Sequence, residues 1–147
     1  MAETGRFRQI PLSGRDRLTA TALAVGLLVL LAAAAVLKPD PRGLGTHQQF
    51  GLPPCTFRFL FGRPCPTCGM TTAWAHLVRG QLIAALRANA GGTLLAALAV
   101  VSVPWLAVSA ARGRWLGLAP RSIAVAWVGS AILLVTLIDW IMRLATE

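Results

Sequence analysis

The chain has 147 residues, of which 56% are hydrophobic and 13% charged, with a net charge of +9. A charged share about half that of a soluble domain cannot clothe a surface facing water, so lipid is the expected solvent. The positive charge does not point to nucleic acid, because the arginines stand singly or in pairs at the ends of apolar runs, with no basic stripe interleaved with aromatics.

Residues 1–17 form a basic leader carrying Arg6, Arg8, Arg15 and Arg17. Leu18 to Leu37 then runs 20 residues without a charge, a helix about 30 Å long and one hydrocarbon thickness. The alanine run Ala32 to Ala35 resembles a signal-peptide cleavage region, but the apolar stretch exceeds the usual core of about 7–15 residues. An uncleaved anchor is therefore expected. Ala22 and Gly26 have the spacing of a small-residue helix contact, which means little in so alanine-rich a span.

Residues 38–87 are the longest connecting segment. Pro39, Pro41, Gly43, Gly45, Gly51, Pro53 and Pro54 predict an extended loop in its first part. Cys55 to Phe61 is short, aromatic and apolar, and reads as a strand-like piece or a segment resting at the lipid interface. Gly62 and Pro64 turn the chain into Cys65-Pro66-Thr67-Cys68.

Beyond Cys68 the pattern becomes helical. Trp74, Leu77 and Val78 share one face, while Cys68, Thr72, His76 and Arg79 line another. Thr67 or Cys68 is the expected N-cap and Gly80 the expected stop. A second amphipathic piece follows, with Leu82, Ile83 and Leu86 set against Arg87 and Asn89, and Gly91-Gly92 leads into the next span. These make one or two short helices lying along the membrane surface or dipping into it.

Residues 88–111 are the second span, in which Pro104 removes one backbone bond and predicts a kink. Residues 112–121 link it to a third span at 122–142. Arg112, Arg114 and Arg121 in that link should share the cytoplasmic side with the basic leader, leaving the cysteine segment outside. Trp115 and Trp140 suit interfacial anchoring, and Trp105 and Trp127 suit packing. Asp139 is an acid near membrane depth, with Arg143 four residues on in the favourable order, so an ion pair is expected. The fold class is all-α and integral to the membrane, with three transmembrane helices plus the short interfacial or re-entrant ones.

Three chemistries fit the cysteines. A segment in an oxidising compartment favours a structural disulfide, joining Cys65 to Cys68 or Cys55 to either, with one thiol left over. Alternatively, Cys65 and Cys68 near a helix N-terminus are biased toward thiolate and suit thiol–disulfide exchange. Finally, Cys55, Cys65 and Cys68 with His76 or His47 make an acceptable zinc set. No paired acids, phosphate loop or nucleophile–base–acid set is visible in the sequence.

Cys55, the run Gly62-Arg63-Pro64-Cys65-Pro66-Thr67-Cys68-Gly69-Met70-Thr71, and the later Leu77-Val78-Arg79-Gly80 and Asn89 together resemble the bacterial membrane family catalogued as domain of unknown function 2752. The resemblance covers about residues 53 to 100. It implies a small multi-pass protein of the bacterial inner membrane with no established activity. Two positions depart from the family pattern. Ala90 stands where an Asn-Pro pair would place proline, and Thr72 where many relatives carry arginine. The expectation is a non-catalytic structural or accessory subunit with a disulfide- or metal-stapled external motif, in contact with lipid and with other membrane proteins or its own copies. A membrane thiol oxidoreductase or a zinc-binding module is the alternative.

Overall fold

The computed structural model describes residues 10–117, 120 and 122–146, and every regular element among these described residues is helical. Arg6, Arg8 and Arg121, which entered the orientation argument, lie outside them. Ser13 starts the first helix, α1 (Gly14–Val36), by a reciprocal capping box: its hydroxyl accepts from the Asp16 amide and its own amide donates to the Asp16 carboxylate. The span therefore begins before Leu18 and includes Arg15 and Arg17. Leu37 closes it, and Pro39 denies it continuation.

The second long helix, α5 (Ala90–Arg112), runs through Pro104, and the third, α6 (Ser122–Thr146), extends past the expected end at 142. All three are long and apolar enough to cross a bilayer. α5 is central: α1 and α6 each pack against it. Ala20 and Ala24 of α1 meet Leu106 and Ala110 of α5, with Trp105 and Trp115 packed alongside. Small residues carry this seam because they let two backbones approach closely in lipid. Ala22 and Gly26, by contrast, are exposed, so the contact runs along the neighbouring stripe. Trp127, expected in packing, is 72% exposed.

The antiparallel order gathers the end of α1, the start of α5 and the end of α6 at one side. At the opposite side the leader meets the α5–α6 link, where Leu12 donates to Gly113 and Trp115 to Ile10. Trp105 and Trp115 stack at 5.2 Å, and the Trp105 indole donates to Leu116.

The connecting segment is more folded than its composition predicts. Thr46–Phe50 forms a 3-10 turn inside the stretch expected to be extended, between glycines at positive φ. Cys55 to Phe61 is not strand-like: Thr56–Phe61 is a helix, α2, ended by Gly62 at φ 68°. Two further helices follow, α3 (Met70–Leu77) and α4 (Leu82–Ala88). The α3 N-cap is Gly69, not Thr67 or Cys68, because those two already close tight turns at Cys65 and Met70. In α4, Ala85 and Ala88 face inward, whereas Leu82 and Ile83 are exposed.

One arginine ties this segment to the first span. Arg79 donates to the carbonyls of Ala34, Ala35 and Leu37 at 2.6–3.2 Å and to Ala75 at 2.6 Å. It takes up the orphan carbonyls of α1 and sits at the negative end of that helix dipole. Arg79→Met keeps the aliphatic stem and removes the donors. The expected result is a loss of about 2 kcal/mol, read as a lower thermal midpoint in detergent and faster amide exchange at the end of α1.

Candidate functional site

The cysteine turn is held by its backbone. Asn89, fully buried between α4 and α5, caps α5 by accepting from the Gly92 amide at 2.6 Å. Its side-chain amide donates the other way, to the Pro66 and Cys68 carbonyls at 3.0 and 3.1 Å. From α6, the Trp140 indole donates to the Pro64 carbonyl at 2.8 Å and Arg143 to the Cys68 carbonyl at 3.0 Å. Asp139 pairs with Arg143 at 2.9 Å, as expected from the spacing. The pair thus has a second role, since it aims a guanidinium at the cysteine loop.

Gly69 gives the turn its shape. At φ 88° it occupies backbone space that side chains avoid, and it lies against the Ala88 and Gly43 carbonyls. Met70 packs on Gly92, and Pro64 is buried. The motif residues are therefore largely architectural.

So held, the turn brings its sulfurs to Cys55, the N-cap residue of α2. The Sγ atoms of Cys55, Cys65 and Cys68 all lie within 4.8 Å of one another, and Cys65 and Cys68 are 2.9 Å apart. All three are free thiols. The Cys65 amide donates to the Cys68 sulfur at 3.2 Å, and the Thr67 hydroxyl lies 3.3 Å from the Cys65 sulfur.

The two thiols of the turn differ. Burial works against ionisation of Cys65, yet hydrogen bonds from Cys68, Thr67 and Cys55 outweigh it and lower its pKa. Burial, then the neighbouring Cys65, pushes Cys68 up to about 12. In reduced, metal-free protein a maleimide is therefore expected to modify Cys65 several-fold faster than Cys68 at neutral pH. The Cys65 rate should level off below pH 9 while that of Cys68 keeps rising above it. Peptide mapping by mass spectrometry across a pH series checks both.

The cluster opens on a cavity of about 610 Å³, whose walls include Arg42, His47, Arg58 and Thr71. His47 shares that cavity wall with the cysteines but is not part of their cluster, and its Nε2 is 3.3 Å from the Pro53 carbonyl. His76, the other expected ligand, does not join them: its Nδ1 is 2.6 Å from the Gln81 side chain. Gly80, expected to stop α3, lies just past its end at φ 73°. Thr72 is fully buried and hydrogen-bonded to Thr46 at 2.7 Å, so the position expected to carry arginine binds the loop instead. Ala90 is the first residue of α5, where proline is merely well suited, so its loss leaves the helix start to Asn89.

The hold of Trp140 and Arg143 on the cysteine turn, and that of Arg79 on the end of α1, were not legible in the sequence. The cap role of Asn89 had a signal, an asparagine directly before an apolar helical run. No curated protein and no solved structure matches the chain. Residues 55–103, the third of the chain that contains the whole cysteine cluster, match the family described as protein of unknown function (DUF2752).

Proposed function

We propose that the chain is a small accessory protein of the bacterial cytoplasmic membrane, N-terminus inside, whose external cysteine module is stapled by zinc on Cys55, Cys65 and Cys68. The supporting observation is the third sulfur. A disulfide needs two cysteines, whereas here Cys55, from a separate helix, is brought to the Cys65–Cys68 pair. Zinc–sulfur bonds of about 2.3 Å in a tetrahedron set sulfurs about 3.8 Å apart. The turn would widen its 2.9 Å pair toward that spacing, and Cys55 already lies within 4.8 Å of both sulfurs. An accessory role fits a site whose strongest polar groups, Asn89, Trp140 and Arg143, are engaged in holding the cysteine-loop backbone. The partners are lipid and other membrane proteins or further copies of the chain.

Purified in detergent under reducing conditions, the protein should carry one zinc per chain, and Cys55→Ser should lose it as completely as Cys65→Ser. Full occupancy in Cys55→Ser, or a metal-free reduced wild type, overturns the reading. In intact cells an impermeant maleimide should reach these thiols only after chelation. Labelling only after reduction would indicate a disulfide, and labelling only after lysis would reverse the orientation.

A second reading rests on the polarity of the pair. A lowered Cys65 beside a raised Cys68 is the arrangement of an attacking thiol and its resolving partner. Cys65 thiolate would attack a substrate disulfide and release one substrate thiol. Deprotonated Cys68 would then attack Cys65, releasing the second thiol and leaving the pair oxidised. Equilibration of the pair with a glutathione buffer near the compartment's poise would favour this reading over the zinc staple.

A further inference from the structure

Building on the zinc reading, we infer that the metal is not closed by a fourth protein ligand, and that its open position takes an exogenous thiolate through the cavity. Donor count is the first ground. Among the described residues the sulfurs of Cys55, Cys65 and Cys68 form the only cluster of three or more metal-ligating side chains, with no fourth member. His76 is turned to Gln81, and His47, although on the cavity wall, faces the Pro53 carbonyl. The turn that carries His47 is itself fixed, since the adjacent Thr46 is fully buried and bonded to Thr72. Three protein ligands with one open position is the pattern of a zinc site that binds a ligand, in contrast to the closed four-ligand structural type.

Space is the second ground. The cavity of about 610 Å³ is far larger than the roughly 30 Å³ of one water. The ligand's class follows from charge and softness. Three thiolates on a divalent zinc leave the centre at −1, which weakens its pull on water but leaves it suited to a soft sulfur donor. A fourth thiolate adds negative charge, and the cavity wall supplies compensation. Arg58 lines it and enters no ion pair among the described residues, while Arg42 lines it with Asp40 as its partner. A thiol bearing an anionic group therefore fits best. On binding, the thiol gives its proton to solvent, a zinc–sulfur bond forms and a zinc-bound water leaves.

The test uses the full-length protein in detergent, reduced and loaded with cobalt(II), whose sulfur charge-transfer absorption scales with the number of bound thiolates. Titration with 2-mercaptoethanesulfonate should raise that band by about one third, as three thiolates become four. His47→Ala should leave both the starting spectrum and the titration unchanged. Arg58→Ala should weaken 2-mercaptoethanesulfonate several-fold and leave neutral 2-mercaptoethanol unaffected. A cysteine-bearing acidic peptide separates the two sources of such a thiolate: tighter binding than the small thiol indicates a partner protein's cysteine, and weaker binding a small molecule. Cobalt binding with no response to any thiol, or a His47→Ala spectrum that differs before thiol is added, overturns the open position and leaves the zinc reading standing. Failure of the reduced protein to bind cobalt overturns both.

Discussion

Gly69→Ala is expected to destabilise the detergent-solubilised protein by about 3 kcal/mol and, on the zinc proposal, to lower the metal occupancy of the cysteine cluster. Two costs combine. At φ 88° an added Cβ brings the left-handed penalty of about 1–2 kcal/mol. The same Cβ would overlap the Ala88 carbonyl oxygen and come within 2.8 Å of the Gly43 carbonyl. Both contacts are backbone, so no flexible side chain can swing aside. Moving the Gly43 loop would relieve only the second contact; relief at Ala88 requires the Cys65–Cys68 turn to lift from the end of α4, which shifts Cys68. Thermal unfolding in detergent and zinc content measure the two effects. Gly62→Ala is the control, since Gly62 also has positive φ but its Cβ would meet open space. It should cost only the conformational part and leave any metal occupancy of the cluster unchanged. If Gly69→Ala were no worse than that control, the close approach would not matter.

What the sequence discloses about this protein depends on how local the determinant is. The spans are legible because a bilayer imposes one crude requirement, an uncharged run of sufficient length, and Leu18 to Leu37 meets it without reference to any other residue. The Cys65–Cys68 pair and the Asp139–Arg143 pair are equally local, at spacings of three and four. The helical form of α2, in place of the strand-like alternative, was not legible because six residues rich in phenylalanine carry no helical period; what makes it helical is the Phe59 amide bonding back to Cys55 and the glycine that ends it. Phe59 and Phe61 are not packed into the protein interior, so protein burial does not set this conformation.

The supports of the site were hidden for a different reason. Arg79 reaches Ala34 across 45 residues, Arg143 reaches Cys68 across 75, and Trp140 reaches Pro64 across 76. No local pattern encodes such pairings. They arise because the antiparallel spans bring three helix ends to one side, where unsatisfied carbonyls collect and cationic or indole donors are retained to meet them. An arginine read as one polar residue on a short helix is thereby the cap of a different helix, and a tryptophan read as an interfacial anchor is a hydrogen-bond donor to the cysteine loop.

Asn89→Ala should cost about 2–4 kcal/mol, because one fully buried side chain serves two elements. Losing its carbonyl oxygen leaves the Gly92 amide without its cap, a loss of about 1 kcal/mol. Losing its amide leaves the Pro66 and Cys68 carbonyls short of a donor, at about 1–3 kcal/mol for buried groups. Arg143 still bonds the Cys68 carbonyl, so the Pro66 carbonyl bears most of that penalty. Asn89→Ser separates the parts. Its hydroxyl can still cap α5 but is too short to span both loop carbonyls, so it should recover about 1 kcal/mol of stability while remaining, on the zinc proposal, as poor in metal retention as the alanine variant. Unfolding midpoints in detergent and zinc stoichiometry on the two variants give the comparison. Serine restoring metal as well as stability would mean that Asn89 shapes only the helix start and that the cysteine turn is held by α6 alone.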